Sequence, residues 1–207
     1  MRIDSFSAEG KLYPNEDSLC VCQVSPNQVV AVLADGMGGL SFGKEAADLI
    51  VHAVSEYICE NLGRNSIQEL IGKALEHADR IIAQRSKEMH SKMGAAVALV
   101  FVDSNTVHFT WLGNVRIYFS EQAEAKLLTT DHSLDAGYGK QLLTRCIKGK
   151  GVRPDWPYQV LSVKAGSKLI LCTDGLYKQL DLERLFTAAL PILEEFEDDA
   201  SMIRVEI

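Results

Sequence analysis

The residues best suited to chemistry in this chain are aspartates that follow buried apolar runs. Six apolar residues, 29–34, lead directly into Asp35, and Gly36 comes next. A run of that length is typical of a strand buried on both faces, and the glycines that follow permit a sharp turn beside the carboxylate. A carboxylate and a bare backbone carbonyl at a strand end are oxygen ligands that a hard divalent cation takes. An ordinary turn aspartate explains this stretch equally well.

The same local design occurs a second time, and a third acidic segment follows it. Residues 170–172 are apolar and run into Thr173, Asp174 and Gly175, while Asp198 and Asp199 precede the last apolar stretch. Carboxylates at strand ends can converge at one edge of a sandwich, where they repel one another unless a cation neutralises them. Ligation by oxygen alone favours Mg²⁺ or Mn²⁺ over zinc. The two Asp-Gly units and the acidic pair therefore predict a metal centre.

A predicted hairpin places further carboxylates beside Asp35. Residues 19–24 have a strand pattern, and the turn signal Ser25-Pro26-Asn27 separates them from the buried run. Pairing of these two strands would bring Glu16 and Asp17 close to Asp35.

The remaining elements predict sheets with helices packed outside them. Helical periodicity covers residues 41–62, a capping box at Ser66 and Glu69 starts a second helix, and residues 176–196 form a mostly helical stretch with a break at Pro191. Other predicted strands cover residues 2–8, 95–102, 106–112, 115–119, 126–129, 158–163, 168–172 and 201–207. Because strands and helices do not alternate one by one, the sheets should be largely antiparallel.

Composition excludes several classes of protein. The 207 residues carry a net charge of −7, which argues against nucleic acid or an anionic membrane as the main partner. The five cysteines form no CxxC pair, which disfavours a zinc knuckle or a disulfide framework. The first residues contain no signal-peptide core, and no apolar run is long enough to span a bilayer. We expect a cytoplasmic protein and one domain over residues 1–207.

Six short motifs give the chain a resemblance to a known family. They are NED at 15–17, ADGMGG at 34–39, TTDHS at 129–133, LTR at 143–145, CTDGL at 172–176 and DDAS at 198–201. In this order they resemble the metal-dependent protein Ser/Thr phosphatases, the type 2C or PPM family. The resemblance runs through nearly the whole chain, and Met37 makes it look like a short member of the bacterial branch.

The resemblance implies a fold, cofactors and roles for individual residues. The fold would be α+β, a four-layer α-β-β-α sandwich of two mainly antiparallel sheets flanked by helices. Two Mn²⁺ or Mg²⁺ ions would lie at one sheet edge. Asp35 would bridge them, the carbonyl of Gly36 would bind one, and Asp174 and Asp198 would bind the other. Glu16 and Asp17 would hold metal-bound waters, so that a metal-bridged water hydrolyses phosphoserine or phosphothreonine on proteins.

Three departures from the family pattern concern the substrate and a third, weaker metal. Leu12 occupies the position of the arginine that usually grips the phosphate, and Lys11 or a basic flap residue such as Arg145 or Lys148 would substitute for it. Asn114 stands where an aspartate of the third metal is expected. The flap beside the cleft is shortened, at about residues 133–151.

Two functions from different classes follow from these residues. The first is an active phosphatase in signalling that acts on a phosphorylated protein and opposes a cognate Ser/Thr kinase. The second is a catalytically weak or inactive member that binds a phosphoprotein or a kinase as a regulator. Leu12 and Asn114 favour the regulator, whereas the intact Asp35, Asp174 and Asp198 favour the enzyme. A small-molecule phosphatase is a third reading, because a short flap would open the cleft. We expect a monomer.

Overall fold

Two antiparallel five-stranded sheets pack face to face in the computed structural model of the chain. The structure describes residues 1–11, 14–37, 42–121, 124–137, 141–192 and 195–207. Its strands are β1 Arg2–Ala8, β2 Asp17–Ser25, β3 Gln28–Gly36, β4 Ala95–Asp103, β5 Thr106–Leu112, β6 Arg116–Glu121, β7 Glu124–Leu127, β8 Ser133–Asp135, β9 Gln141–Leu143, β10 Gln159–Ser162, β11 Lys168–Cys172 and β12 Ala200–Glu206. The first sheet has the order β1-β12-β11-β6-β7, and the second has the order β10-β5-β4-β3-β2.

Strand β3 lies inside the second sheet and is covered on both faces, as its continuous apolar run predicted. Val30, Val32 and Ala34 pack against the helices, whereas Ala31 and Leu33 face the first sheet. This alternation places every side chain of the run in a core. The end of β3, where Asp35 lies, is thereby fixed by packing on two sides.

The predicted hairpin is confirmed and sets the position of the acidic residues. Strands β2 and β3 pair antiparallel, with Asp17 directly opposite Asp35. Strand β4 flanks β3 on its other side.

Two long helices cover the outer face of the second sheet. They are α1 Gly43–Asn61 and α2 Ile67–Glu88. The predicted capping box is present: the Ser66 hydroxyl accepts a hydrogen bond from the Glu69 amide at 3.3 Å, and the Glu69 carboxylate accepts one from the Ser66 amide. Together with the helices on the first sheet, this gives the predicted four-layer α+β sandwich.

The prediction that residues 176–196 are mostly helical, with a break at Pro191, is wrong in extent. The chain instead forms two short helices, α3 Asp174–Tyr177 and α4 Leu182–Thr187. Asp181 starts α4 as its N-cap by accepting a hydrogen bond from the Arg184 amide at 2.8 Å. Apolar periodicity spans both helices because Leu176, Leu185 and Phe186 all pack on the same outer face of the first sheet. Leu193, part of the predicted pattern, lies outside the described residues.

The predicted short flap contains a small hairpin of β8 and β9. Its paired side chains Leu134 and Leu142 are 65% and 63% exposed. No helix in the described ranges is long and apolar enough to cross a membrane.

One hydroxyl joins the two sheets at the end where Asp35 lies. Thr173, which follows β11 in the first sheet and is fully buried, donates a hydrogen bond to Asp17 Oδ2 at 2.8 Å. The same hydroxyl accepts a hydrogen bond from the Ser201 amide at 2.9 Å.

We predict that Thr173→Val lowers the free energy of unfolding by about 1–3 kcal/mol, because it leaves a buried amide and a buried carboxylate without this partner. Urea denaturation measures the change. Thr187→Val on the exposed surface of α4 is the control and should change stability by less than about 0.5 kcal/mol. Equal effects of the two substitutions would contradict the prediction.

Candidate functional site

Carboxylates from four segments meet around one cavity of about 770 Å³ at the end of the sandwich. Asp35 ends β3, Asp174 begins α3 directly after β11, Asp198 precedes β12, and Glu16 precedes β2. The cavity is lined by Pro14, Glu16, Asp35, Gly36, Met37, Asn114, Gln141, Leu142, Leu143, Cys146, Lys148, Asp174, Asp198 and Asp199. The flap strand β9 and the loop after it form the opposite wall.

Glycines let the acidic segments approach one another closely. A Cβ atom on Gly36 would lie 2.5 Å from the carbonyl carbon of Gly43 and 2.9 Å from the Glu16 carbonyl oxygen. A Cβ atom on Gly175 would lie 2.8 Å from the Asp198 carbonyl oxygen. Each Asp-Gly unit therefore needs glycine because another segment packs directly against its backbone.

Burial and mutual repulsion raise the pKa values of these carboxyl groups. Burial raises the pKa of Asp17 to about 8, against the opposing effect of hydrogen bonds from Ser201 and Thr173. Burial also raises the pKa of Asp35 well above its usual range, and the nearby charges of Asp17 and Asp174 raise it further. The pKa values of Glu16 and Asp198 are raised mainly by burial as well. A cation at this site would relieve the repulsion.

Hydrogen bonds fix the third acidic segment. Asp199 accepts hydrogen bonds from the amides of Gly10 at 2.9 Å and Glu16 at 2.7 Å. Asp198 Oδ1 accepts one from the Asp199 amide at 3.0 Å, and its side chain stays exposed at the cavity. Asp199 thus holds the segments together, and Asp198 faces the open space.

Two contacts of Asp174 were not predicted from the sequence. The Lys178 ammonium lies 2.7 Å from Asp174 Oδ2, and Asn114 Nδ2 lies 3.2 Å from the same oxygen. The i,i+4 spacing of Asp174 and Lys178 is a signal that could have identified the first contact. The buried Asn114 Oδ1 has no hydrogen-bond partner among the described residues.

The two basic residues predicted to bind substrate lie away from the cavity lining. Lys11 Nζ is 2.6 Å from Glu197 Oε1 and 3.5 Å from Glu195 Oε2. Arg145 pairs with Asp155 at 2.5 Å and lines a neighbouring cavity. Leu12, the expected position of a phosphate-gripping arginine, lies outside the described residues. Lys148 is the basic side chain that the structure places on the cavity wall.

The oxygen atoms at the cavity suit a hard divalent cation. Among the described residues, no three His, Cys, Asp or Glu side chains are already gathered into a closed ligand group. The lining nevertheless supplies the carboxylates of Asp35, Asp174 and Asp198, the backbone of Gly36 and the unpartnered Asn114 Oδ1. These are the ligand types that Mg²⁺ and Mn²⁺ prefer, so the residues present could hold such an ion.

Comparison with known proteins identifies the family of the chain. The family model described as Protein phosphatase 2C matches residues 7–204. The serine/threonine phosphatase stp of Listeria monocytogenes is 26% identical over 182 residues, which cover 78% of this chain and 72% of the relative. Protein phosphatase PhpP of Streptococcus pneumoniae is 24% identical over 192 residues, which cover 82% and 77%.

Solved structures have the same fold. The serine/threonine phosphatase of S. agalactiae superposes with a TM-score of 0.85 at 21% identity, covering 100% of this chain and 99% of that one. The catalytic domain of the serine/threonine protein phosphatase PstP, in complex with two manganese ions, superposes with a TM-score of 0.80 at 21% identity, covering 99% and 97%.

We predict that the carboxylate cluster makes the metal-free protein less stable as the pH rises from 3.8 to about 8. The pKa of Asp17 is raised from 3.8 to about 8 in the folded state. The folded protein therefore binds more protons than the unfolded chain in this window, and stability falls as pH rises. Thermal unfolding in EDTA should show Tm falling by at least about 2–4 °C, the shift that about 1 kcal/mol produces in a domain of this size.

Asp17→Asn is the matched control, because it removes the titrating group. The lowered pKa values of His108 and His132 act in the opposite direction and are common to both proteins. The difference between wild type and variant therefore reports Asp17 together with the effect of its charge on the pKa of Asp35. Identical pH profiles of the two proteins would contradict the prediction.

Proposed function

Because the chain belongs to the protein phosphatase 2C family, we propose that it hydrolyses phosphoserine and phosphothreonine on proteins with the help of divalent cations. The observation that carries the proposal is the meeting of Asp35, at the end of β3, and Asp174, at the start of α3, at one cavity. A protein that only binds phosphoproteins has no need to gather buried carboxylates whose charges repel one another.

The proposed cofactors are two Mn²⁺ or Mg²⁺ ions. Asp35, the carbonyl of Gly36, Asp174 and Asp198 would hold them, since all four line the cavity with oxygen atoms. When bound, divalent cations activate water at neutral pH and stabilise charge on phosphoryl oxygens. A nucleophilic side chain is therefore unnecessary, and the buried Cys172 packs in the core of the first sheet.

Side chains of this protein would orient water and substrate. The carboxylate of Glu16 is held against the start of α1, where a Cβ atom on Gly43 would lie 2.5 Å from Glu16 Oε2. Asp17 is fixed by its hydrogen bond from Thr173. We assign Glu16, which lines the cavity, to holding water there and Lys148 to contacting the substrate phosphate. Asp17 lies opposite Asp35 and is not among the described residues that line the cavity, so we assign it to positioning Asp35.

A second function is favoured by the ion pair of Lys178 with Asp174. A tethered ammonium that neutralises a candidate ligand would weaken metal binding, and a weakly catalytic member could then act as a regulator that binds phosphoproteins or a kinase.

Hydrolysis of an aryl phosphate and of a phosphothreonine peptide, each titrated with Mn²⁺, separates the two functions. The enzyme should hydrolyse the peptide. Binding of the peptide without turnover of either compound would support the regulator, and turnover of the aryl phosphate alone would support a small-molecule phosphatase.

We predict that Asp35→Asn and Asp174→Asn each lower turnover by at least about 100-fold. Each substitution removes one negatively charged candidate metal ligand. Loss of a residue that only hydrogen-bonds to a metal ligand already lowers metal affinity or activity by about 10–100-fold. Circular dichroism should show that both variants stay folded, since the strands that carry these residues are packed by apolar side chains. Asp103→Asn, at the last residue of β4, is the control and should keep full activity. Near wild-type turnover of either site variant at saturating Mn²⁺ would contradict the assignment.

We further predict that Lys178→Gln binds Mn²⁺ up to about fivefold more tightly, because an exposed ion pair that competes with the metal is worth about 0.2–1 kcal/mol. Calorimetric titration measures the dissociation constant directly. Lys164→Gln removes a lysine that pairs with Glu121 elsewhere and is the matched control. A larger dissociation constant for Lys178→Gln would contradict the prediction and show that the ammonium assists Mn²⁺ binding.

A further inference from the structure

A second cavity, of about 350 Å³, lies beside the carboxylate cavity and has the opposite charge. Four lysines line it, and none of its lining residues in the described part of the chain is acidic: they are Met37, Ala83, Ser86, Lys87, Ser91, Lys92, Met93, Lys148, Gly149 and Lys150. Met37 and Lys148 belong to both cavities and form the wall between them. The chain as a whole carries a net charge of −7, so this cluster of positive charge is opposite in sign to the protein's net charge.

The lysines of this cavity are free to take a ligand. Within the described ranges, the ammonium groups of Lys87, Lys92, Lys148 and Lys150 form no ion pair or hydrogen bond. By contrast, Lys11, Lys44, Lys164 and Lys178 each pair with a carboxylate. Ser86 adds a buried hydroxyl that has no partner among the described residues.

A buried carboxylate fixes the loop that carries two of these lysines. Asp79 of α2 accepts hydrogen bonds from the amides of Lys148 at 3.3 Å, Gly149 at 2.8 Å and Gly151 at 2.7 Å. Gly149 has φ +71, and a Cβ atom there would lie 2.6 Å from Ala83 Cα. The loop is therefore held tightly on α2, which places Lys148 and Lys150 opposite Lys87.

Three of the carbonyl groups at the end of α2 are not free to oppose an anion. The carbonyls of Arg85, Ser86 and Lys87 accept hydrogen bonds from the amides of residues 89–91. The cavity thus presents ammonium groups as its donors.

We propose that this cavity binds a second phosphate of the substrate segment whose first phosphate lies in the carboxylate cavity. The inference rests on the proposed function and adds a substrate class to it, doubly phosphorylated protein segments. A phosphate carries about −1.5 to −2 charges and three acceptor oxygens, which suits several converging ammonium groups. A carboxylate has one charge and is matched better by the planar fork of arginine. The shared wall of Met37 and Lys148 means that one peptide can reach both cavities.

The test is a set of peptides with one phosphothreonine to be hydrolysed and a second position two to six residues away. That second position carries phosphothreonine, glutamate or threonine. For the wild-type protein with Mn²⁺, we expect the best-spaced doubly phosphorylated peptide to have a KM about three- to tenfold lower than its singly phosphorylated counterpart, and the gain should shrink in high salt.

The double substitution Lys87→Gln with Lys150→Gln should remove this gain while leaving kcat/KM for an aryl phosphate unchanged. Lys73→Gln with Lys126→Gln removes two exposed lysines away from the cavity and is the matched control. Equal KM values for singly and doubly phosphorylated peptides at every spacing would overturn the inference and leave the proposed function intact. An equal gain from glutamate would overturn the assignment to phosphate.

A binding measurement keeps the inference separate from the proposed function. Fluorescence anisotropy of the labelled peptides in EDTA reports affinity without turnover. If the wild-type protein hydrolysed no phosphate ester, the proposed function would fail. The second site would still be supported if the doubly phosphorylated peptide had a lower Kd than the singly phosphorylated one and if the double substitution removed this difference. The absence of that difference would overturn it.

Discussion

Repulsion among carboxylates at one end of the sandwich is the constraint on which this structure depends. Asp17 and Asp35 lie opposite each other on neighbouring strands, and Asp174 reaches the same place from the other sheet. Burial raises the pKa of both strand carboxyls, so the fold holds them together against their solvation and their mutual charge. Such an unfavourable arrangement persists only when the surrounding packing holds the residues in place. The burial of β3 on both faces provides that packing.

The polar contacts around the cavity divide the acidic residues into two groups. Asp17 and Asp199 use their oxygens to join segments, through Thr173 in one case and through the amides of Gly10 and Glu16 in the other. Asp35 and Asp198 line the cavity, and Asp174 pairs with the Lys178 ammonium. The hydrogen-bonded carboxylates therefore join the segments, and the carboxylates that line the cavity are available to bind an ion.

Charge also separates the two cavities that share Met37 and Lys148. One is lined by carboxylates and would bind metal. The other is lined by lysines, two of which lie on the loop that hydrogen-bonds to Asp79. A metal-loaded first cavity and a basic second cavity would both attract phosphate, and this is the basis of the proposed second phosphate site.

The sequence by itself determined the elements whose signal is local. The apolar run before Asp35, the turn between β2 and β3 and the capping box at Ser66 are patterns of neighbouring residues, and each formed as predicted. Only the tertiary structure decided the rest. The stretch 176–196 became two short helices because its apolar residues pack on a sheet whose position depends on distant strands. Lys11 and Arg145 pair with carboxylates away from the cavity, whereas Lys178 pairs with one at the cavity. The positions of charged side chains depend on how the segments pack in three dimensions, and sequence spacing alone does not give that packing.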